Sequence, residues 1–443
     1  MKKVYIETLG CKVNQYESAA ILDLLIKKGF ASTNQIDEAD VLILNSCTVT
    51  NRTDYKSRNV IRHFLKLKEA DPNKIVIVSG CYVQREKAQA EELGNIDAII
   101  DNNNKSAIPD LVEKLLLHNA EPIESCQQAQ DFLYFDELPS SSMGEKSRAF
   151  IKIQDGCNFY CSYCAIPYAR GNPRSRMPES IIAQVEEMIK KGYHEFVLAG
   201  INQGLYGIDF SERNTIANTL AELIQAICDI PGYKKIRLSS VEPQLFTEDL
   251  IKVICENEQV CPHFHIPLQS GSDSILQAMR RKYDTRLFSN LVKEIISKRA
   301  DAAFGFDVIV GFPGETNELF AETLNFLKSL PLTYLHVFIY SKRRGTVAAK
   351  LPNQVHGNAA KERSQALISL SHEKIEQYTK KLVDIKAPLL CIVEGSEEGV
   401  YYGMTDHFVR VKFKANKEAV NKGDLVKLKA IKADGEQIIA EIW

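Results

Sequence analysis

The sequence predicts an α/β fold in three parts: a parallel-sheet domain over residues 1–138, a partial (β/α)6 barrel over residues 139–378 and a small all-β barrel over residues 379–443. Three observations predict it. Short β-rich apolar runs alternate with stretches of helical spacing through the first two parts, the pattern of parallel strands covered by helices. A Pro/Ser/Gly stretch at residues 139–144 reads as a linker between them. The final part changes to short alternating stretches punctuated by Gly403, Gly423 and Gly435.

The first part opens with apolar runs at residues 4–9, 41–45 and 74–78. Residues 17–28 place Ala20, Leu24 and Leu25 at helical spacing with Gly29 as a stop, and residues 58–68 repeat the pattern. Strands separated by helices predict a Rossmann- or flavodoxin-like parallel sheet. The middle part carries strand candidates at residues 149–153, 196–198, 236–239, 264–268, 307–310 and 335–339, with helical segments such as 181–191 and 287–298 between them. Such units predict an open relative of the eight-unit barrel, with its chemistry at the C-terminal strand ends. In the last part, residues 389–393, 408–413 and 425–430 alternate as the strands of a small barrel do.

Composition narrows the function classes. With 55 basic and 57 acidic residues the net charge is −2, so a nucleic-acid partner has to be held by local patches. No apolar run reaches the roughly 18–20 residues of a membrane span. Glu7 interrupts the apolar opening that a secretory signal needs, and a cytoplasmic protein is expected. In a reducing compartment, eleven cysteines point to metal binding rather than to disulfides.

Cys157, Cys161 and Cys164 follow the first barrel strand, separated by three and then two residues, so one loop wraps three thiolates round one corner of a cluster. A fourth cysteine is not near, which leaves one iron of a cubane open to a substrate. A zinc knob with a distant fourth ligand competes, the next histidine being His194. Cys11, Cys47 and Cys81 lie far apart, but each follows a predicted parallel strand, and parallel strands end on one edge of their sheet. Gly10 and Gly80 let the backbone turn tightly beside them. Three unrelated core thiols are the plainer alternative. Cys126, Cys228, Cys255, Cys261 and Cys391 show no such placement and read as structural residues or bystanders. His263 and His265 alternate along a strand and read as hydrogen-bonded structural residues in preference to a metal pair.

The run 156–176, with Tyr163 just before the third cysteine and the segment Ala165-Ile166-Pro167-Tyr168-Ala169-Arg170-Gly171, resembles the radical S-adenosylmethionine (SAM) methylthiotransferase family. The opening Thr8-Leu9-Gly10-Cys11-Lys12-Val13-Asn14-Gln15-Tyr16-Glu17-Ser18 resembles the branch of that family acting on threonylcarbamoyladenosine in tRNA. Sister branches, acting on isopentenyladenosine or on a ribosomal-protein aspartate, typically differ after the Gly-Cys. The resemblance implies a [4Fe–4S] cluster on Cys157, Cys161 and Cys164, with SAM on its open iron and Tyr163 near the adenine. It implies an auxiliary [4Fe–4S] cluster on Cys11, Cys47 and Cys81, and a SAM pocket lined by Asn202, Ser240, Glu242, Gln269 and Ser270. Phe306 and Ile339 stand where the family usually has threonine and proline. The last part resembles a TRAM domain, an RNA-binding barrel in which Lys412, Lys414, Lys427 and Lys429 would share one solvent face for phosphates. Arg343 and Arg344 follow the last barrel strand and are expected at the mouth of the active site, where a fork-like contact would take the carboxylate of a threonylcarbamoyl group.

The activity so implied replaces the C2–H of N6-threonylcarbamoyladenosine at tRNA position 37 with a methylthio group. One SAM methylates a sulfur at the auxiliary cluster, and a second accepts an electron and yields the 5′-deoxyadenosyl radical that activates the substrate. An aromatic C2–H is too weakly acidic for simple acid–base chemistry. The implied partners are the tRNA anticodon loop and an electron donor of the flavodoxin or ferredoxin kind; the sulfur source stays open. The alternatives are the same chemistry on isopentenyladenosine or a ribosomal-protein aspartate, and a non-catalytic zinc and RNA-binding protein. A cobalamin-dependent enzyme would need a histidine suited to cobalt at a strand end of the first part, and none is evident there.

Overall fold

A computed structural model describes residues 1–117, 123–125, 127–140, 142–144, 146–210, 215–386, 388–415 and 420–443; Cys126 lies outside the described residues. The first sheet contains β1 (Lys3–Thr8), β2 (Ala31–Ser32), β3 (Val41–Ser46), β4 (Ile75–Gly80), β5 (Ala98–Ile100) and β6 (Ile123–Ser125). All run parallel, in the order β2-β1-β3-β4-β5-β6. β3 and β4 are buried at every position, as unbroken apolar runs in a doubly covered sheet must be. β2, β5 and β6 are too short to give a pattern.

Helix α1 (Lys12–Lys27) starts ahead of residue 17, because Asn14, Tyr16, Glu17 and Ser18 in its first turns are buried polar side chains that interrupt the apolar stripe. Helix α2 (Asn51–Ala70) also starts earlier than residue 58, at a reciprocal capping box between Thr50 and Thr53. Helix α3 (Cys81–Arg85) begins on the cysteine itself.

The middle part follows with β7 (Ala149–Lys152) and the antiparallel pair β8 (Gln154–Asp155) and β9 (Arg174–Ser175), whose connection carries Cys157, Cys161 and Cys164. Then come β10 (Glu195–Ala199), β11 (Lys235–Leu238), β12 (His263–Gln269), β13 (Ala303–Val310) and β14 (Tyr334–Ile339). They form two parallel sheets, β11-β10-β7 and β12-β13-β14, joined by a parallel bridge from Ile236 to Val260. Alternation along the strands divides the side chains. Ile151, Phe196, Ile236, Ile266 and Phe306 belong to the apolar layer under the helices. The other parity is polar and pairs across strands inside the barrel: Arg237 with Glu195 at 2.7 Å, His265 with Asp307 at 2.9 Å, and His336 with Asp307 at 3.2 Å.

The last part is a closed barrel of β15 (Pro388–Glu397), β16 (Val400–Thr405), β17 (Arg410–Lys414), β18 (Leu425–Asp434) and β19 (Gln437–Ile442), ordered β15-β16-β17-β19-β18. Gly403 lies within β16 rather than in a turn. A Cβ there would stand 2.3 Å from the Ile392 carbonyl oxygen, so glycine serves close strand approach. The 29-residue helix Gly357–Ile385 runs straight through the boundary expected at residue 378. It gives Leu367 and Leu370 to the middle core, and Tyr378 and Leu382 to the last one. The turn between β16 and β17 inserts into the partial barrel. Arg237 donates to the carbonyls of Thr405 and Asp406, each at 3.0 Å, and Phe408 stacks on His263 with ring centroids 4.6 Å apart. Among the described residues no helix is long and apolar enough to cross a membrane.

Candidate active site

The strand ends bring the first thiol set together. Cys11 lies just past β1, Cys47 directly follows β3 and Cys81 directly follows β4, three adjacent parallel strands. Burial pushes the Cys47 thiol up to about 12, and the neighbouring Cys81 and Cys11 charges add to it. Gly10 makes room: its φ is 104°, and a Cβ would fall 2.7 Å from the Cys47 sulfur. Gly80 is tighter still, with φ 100° and a Cβ position 2.3 Å from the Ser46 carbonyl oxygen. Gly80→Ala is expected to cost more than about 1 kcal/mol, since alanine is strained at this φ. The same change should displace Cys81 from its neighbours, and iron analysis after anaerobic reconstitution would register the loss.

The second set gathers in the β8–β9 connection. Burial raises the Cys164 thiol to about 12, reinforced by Cys161 and Cys157. Arg281 faces this set and joins three of the expected residues: it donates to the Cys161 sulfur at 3.1 Å and the Tyr163 hydroxyl at 3.4 Å, and forms an ion pair with Glu242. Asn202 is buried, with its side-chain nitrogen 3.9 Å from the Cys157 sulfur and its side-chain oxygen without a protein partner. Beside these residues lies a cavity of about 240 Å³, lined by Tyr163, Cys164, Gln269, Asp307, Ile309 and Ile339. Gln269 reaches it from a left-handed backbone at the end of β12 (φ 66°). Ile339 is thus a cavity residue, whereas Phe306 packs edge-on against Phe288 at 4.9 Å in the helix layer. Ser240 follows β11 and is half-buried.

Two expectations are corrected. Ser270 is fully buried with its hydroxyl 3.1 Å from that of Thr323, so it braces the helix Asn317–Ser329 instead of lining the pocket. Arg343 is also buried, and its guanidinium is taken up by the first domain. Its guanidinium donates to Thr48 and Asp54 at 2.6 Å each and to Asn51 at 2.7 Å, which ties the last barrel loop to the first domain. Arg344 is exposed on the outside, 4.0 Å from Glu86. A position after the last strand placed both arginines near the mouth; the neighbouring domain decides where they point.

Residues 3–101 match the family described as Uncharacterized protein family UPF0004, and residues 151–327 match the Radical SAM superfamily. The chain is 38% identical to the threonylcarbamoyladenosine tRNA methylthiotransferase MtaB of Bacillus subtilis (strain 168), covering 98% of this chain and 94% of that protein. The chain belongs to the radical SAM tRNA methylthiotransferase family. It is also 33% identical to the tRNA-2-methylthio-N(6)-dimethylallyladenosine synthase of the same organism, over 99% of this chain and 86% of that one. Among solved structures, the radical S-adenosylmethionine methyltransferase TsrM from Kitasatospora setae shares the fold at a TM-score of 0.57 and 13% identity, covering 76% of this chain and 73% of that chain.

A radical SAM methylthiotransferase works with two [4Fe–4S] clusters and SAM, and the donor chemistry here fits them. Each of the two sets offers three unpaired thiols, which suits a cubane with one iron left for another ligand. Burial raises the thiols of Cys11, Cys47, Cys157, Cys161 and Cys164, so that a metal's charge, rather than the apoprotein, would make them thiolates. Cys228, Cys261 and Cys391 are buried apart from both sets, in strands, helices and cores.

Three features of this methylthiotransferase escaped sequence reading. Arg281 is one. The second is a buried ionic network between the domains: Glu17 meets Lys105, Lys152 at 2.8 Å and Arg170 at 2.7 Å, while Asp155 meets Lys152 at 2.7 Å and Arg170 at 2.9 Å. Burial opposes ionisation of Glu17, yet Arg170, Lys105 and Lys152 hold its carboxyl well below the usual range. Arg170 also donates through Nε to the Cys81 sulfur at 3.4 Å. The third is Lys12, beside Cys11, whose ammonium reaches across the domain boundary to the Ser239 hydroxyl at 3.5 Å. The only hint of the last two lies in charged residues within the cysteine-bearing segments.

Proposed function

We propose that the chain is a tRNA methylthiotransferase acting at C2 of N6-threonylcarbamoyladenosine in position 37. One observation carries the reading: the sheet edge with Cys11, Cys47 and Cys81 adjoins the barrel that holds Cys157, Cys161 and Cys164, since Lys12 beside Cys11 contacts Ser239 just past β11. Bound there, the clusters and SAM supply the electron, the methyl group and the radical activation that an inert C2–H requires.

The chain's own residues hold and orient. In this reading Cys11, Cys47 and Cys81 carry the auxiliary cluster, and Cys157, Cys161 and Cys164 the other. Tyr163, Ile309 and Ile339 form an apolar slot for the flat SAM adenine, and Gln269 serves its polar edge. Glu242 and Asn202 face the amino-acid end of SAM, with Arg281 fixing Glu242. The inserted turn of residues 406–408 closes the barrel floor and helps to exclude water. On the last barrel, Lys412, Lys414, Lys427 and Lys429 are exposed while Val411, Phe413, Leu428 and Ala430 face its core, an arrangement suited to phosphate contacts. Lys429 is partly offset by Glu441 at 3.3 Å. A cytoplasmic setting and a flavodoxin- or ferredoxin-type donor complete the reading.

A polar barrel interior favours the threonylcarbamoyl substituent over the apolar dimethylallyl one named in the second relative. Nucleoside mass spectrometry of tRNA from a strain lacking the gene tests this. The methylthio derivative of threonylcarbamoyladenosine should vanish and return on complementation. Loss of the dimethylallyl derivative alone would assign the other substrate.

A further inference from the structure

We propose that Lys12 is the cation that recognises the carboxylate of the substrate's N6 substituent. This rests on the threonylcarbamoyl reading above and deepens it. The cations around the barrel interior differ in their partners. Arg237 is paired with Glu195, Arg281 with Glu242, Arg148 with Glu394, and Lys152 with both Glu17 and Asp155. Each of these charges is spent on a protein carboxylate. Two cations differ: Arg85 donates to the Arg344 carbonyl at 2.5 Å, and Lys12 has, among the described residues, no carboxylate within ion-pair distance, its contact being the neutral hydroxyl of Ser239 at 3.5 Å. Arg343 is committed to Asp54, and Arg344 lies outside, so neither competes for the role.

Position strengthens the assignment. Lys12 opens α1 directly after Cys11, so its ammonium sits between the sheet edge and the end of β11. The nearby carboxylate of Asp307 is already engaged by His265 at 2.9 Å and His336 at 3.2 Å. A half-buried ammonium without a counter-ion gains most from an anionic ligand and nothing from an isopentenyl chain. The SAM carboxylate is the other source of the same chemistry.

The test uses the anaerobically reconstituted full-length enzyme and three anticodon stem-loops of one sequence, carrying threonylcarbamoyladenosine, its methyl ester or plain adenosine. The wild type should bind the free acid about tenfold or more tighter than the ester, the usual scale of one charge-assisted contact. Lys12→Met should bind acid and ester alike, with iron content and SAM affinity at wild-type values, and Lys12→Arg should recover part of the preference. A Lys12→Met enzyme that still prefers the acid overturns the proposal. So does a loss of SAM affinity, which assigns the lysine to the SAM carboxylate, or a loss of iron, which makes it a support for Cys11. If the wild type binds the threonylcarbamoyl loop no better than the plain one, the substrate reading itself has failed.

Discussion

Cys47→Ala should lose about half of the iron of the reconstituted enzyme, some four atoms per chain, and still cleave SAM under reduction. Cys161→Ala should lose a similar amount of iron but all of the cleavage. The asymmetry follows from placement. Cys47 ends β3 of the first sheet with Cys11 and Cys81 as neighbours, whereas Cys161 lies in the β8–β9 connection with Cys157 and Cys164. Removing one of three ligands leaves two thiols, too few to hold a cubane that already has an open corner. The two sets share no ligand, so each defect should stay local. Iron analysis and 5′-deoxyadenosine formation read the two outcomes separately. A variant of either kind that lost both properties would show that the sets are not independent.

The second large effect concerns stability. Glu17→Gln removes one of the two carboxylates that pair with Lys152 and Arg170, and the one ion-pair partner of Lys105 among the described residues; all three cations are buried. Breaking a buried ionic group by deleting one partner typically costs about 3–5 kcal/mol, because the remaining charges stay desolvated and uncompensated. Glu17 belongs to α1, and Lys152 and Arg170 belong to the barrel, so the loss falls on the contact between the first two domains. Thermal or denaturant unfolding should show an earlier first transition, and a chain of this size need not unfold in one step. An unchanged profile would mean that the network contributes little to holding the domains together.

What the sequence made legible depends on how local the cause is. Cys11, Cys47 and Cys81 were placed correctly at strand ends, because β1, β3 and β4 announce themselves as apolar runs and a parallel sheet brings successive strand ends to one edge. The six barrel strands were visible for the same reason. The start of α1 was hidden, since Asn14 and Glu17 look like surface residues until a second domain buries them. Arg170 and Glu17 lie 153 positions apart, and Lys12 and Ser239 lie 227 apart, so no local pattern relates them. Arg343 shows the same limit from the other side. Its place after β14 was right, but its direction is set by Asp54 and Thr48 of another domain. Gly403 resembled a turn because close packing of two strands demands the same residue as a tight bend.

The turn Asp406–His407–Phe408 has a consequence for how such a chain can be taken apart. Its residues come from the last barrel, yet they form the underside of the chamber in the middle one, against Arg237 and His263. Lys12 of the first domain reaches Ser239, just past the strand that carries Arg237. The reaction vessel is therefore a joint property of the whole polypeptide: an excised core would be a vessel without a base, and a grafted tail would have to bring matching side chains for that base.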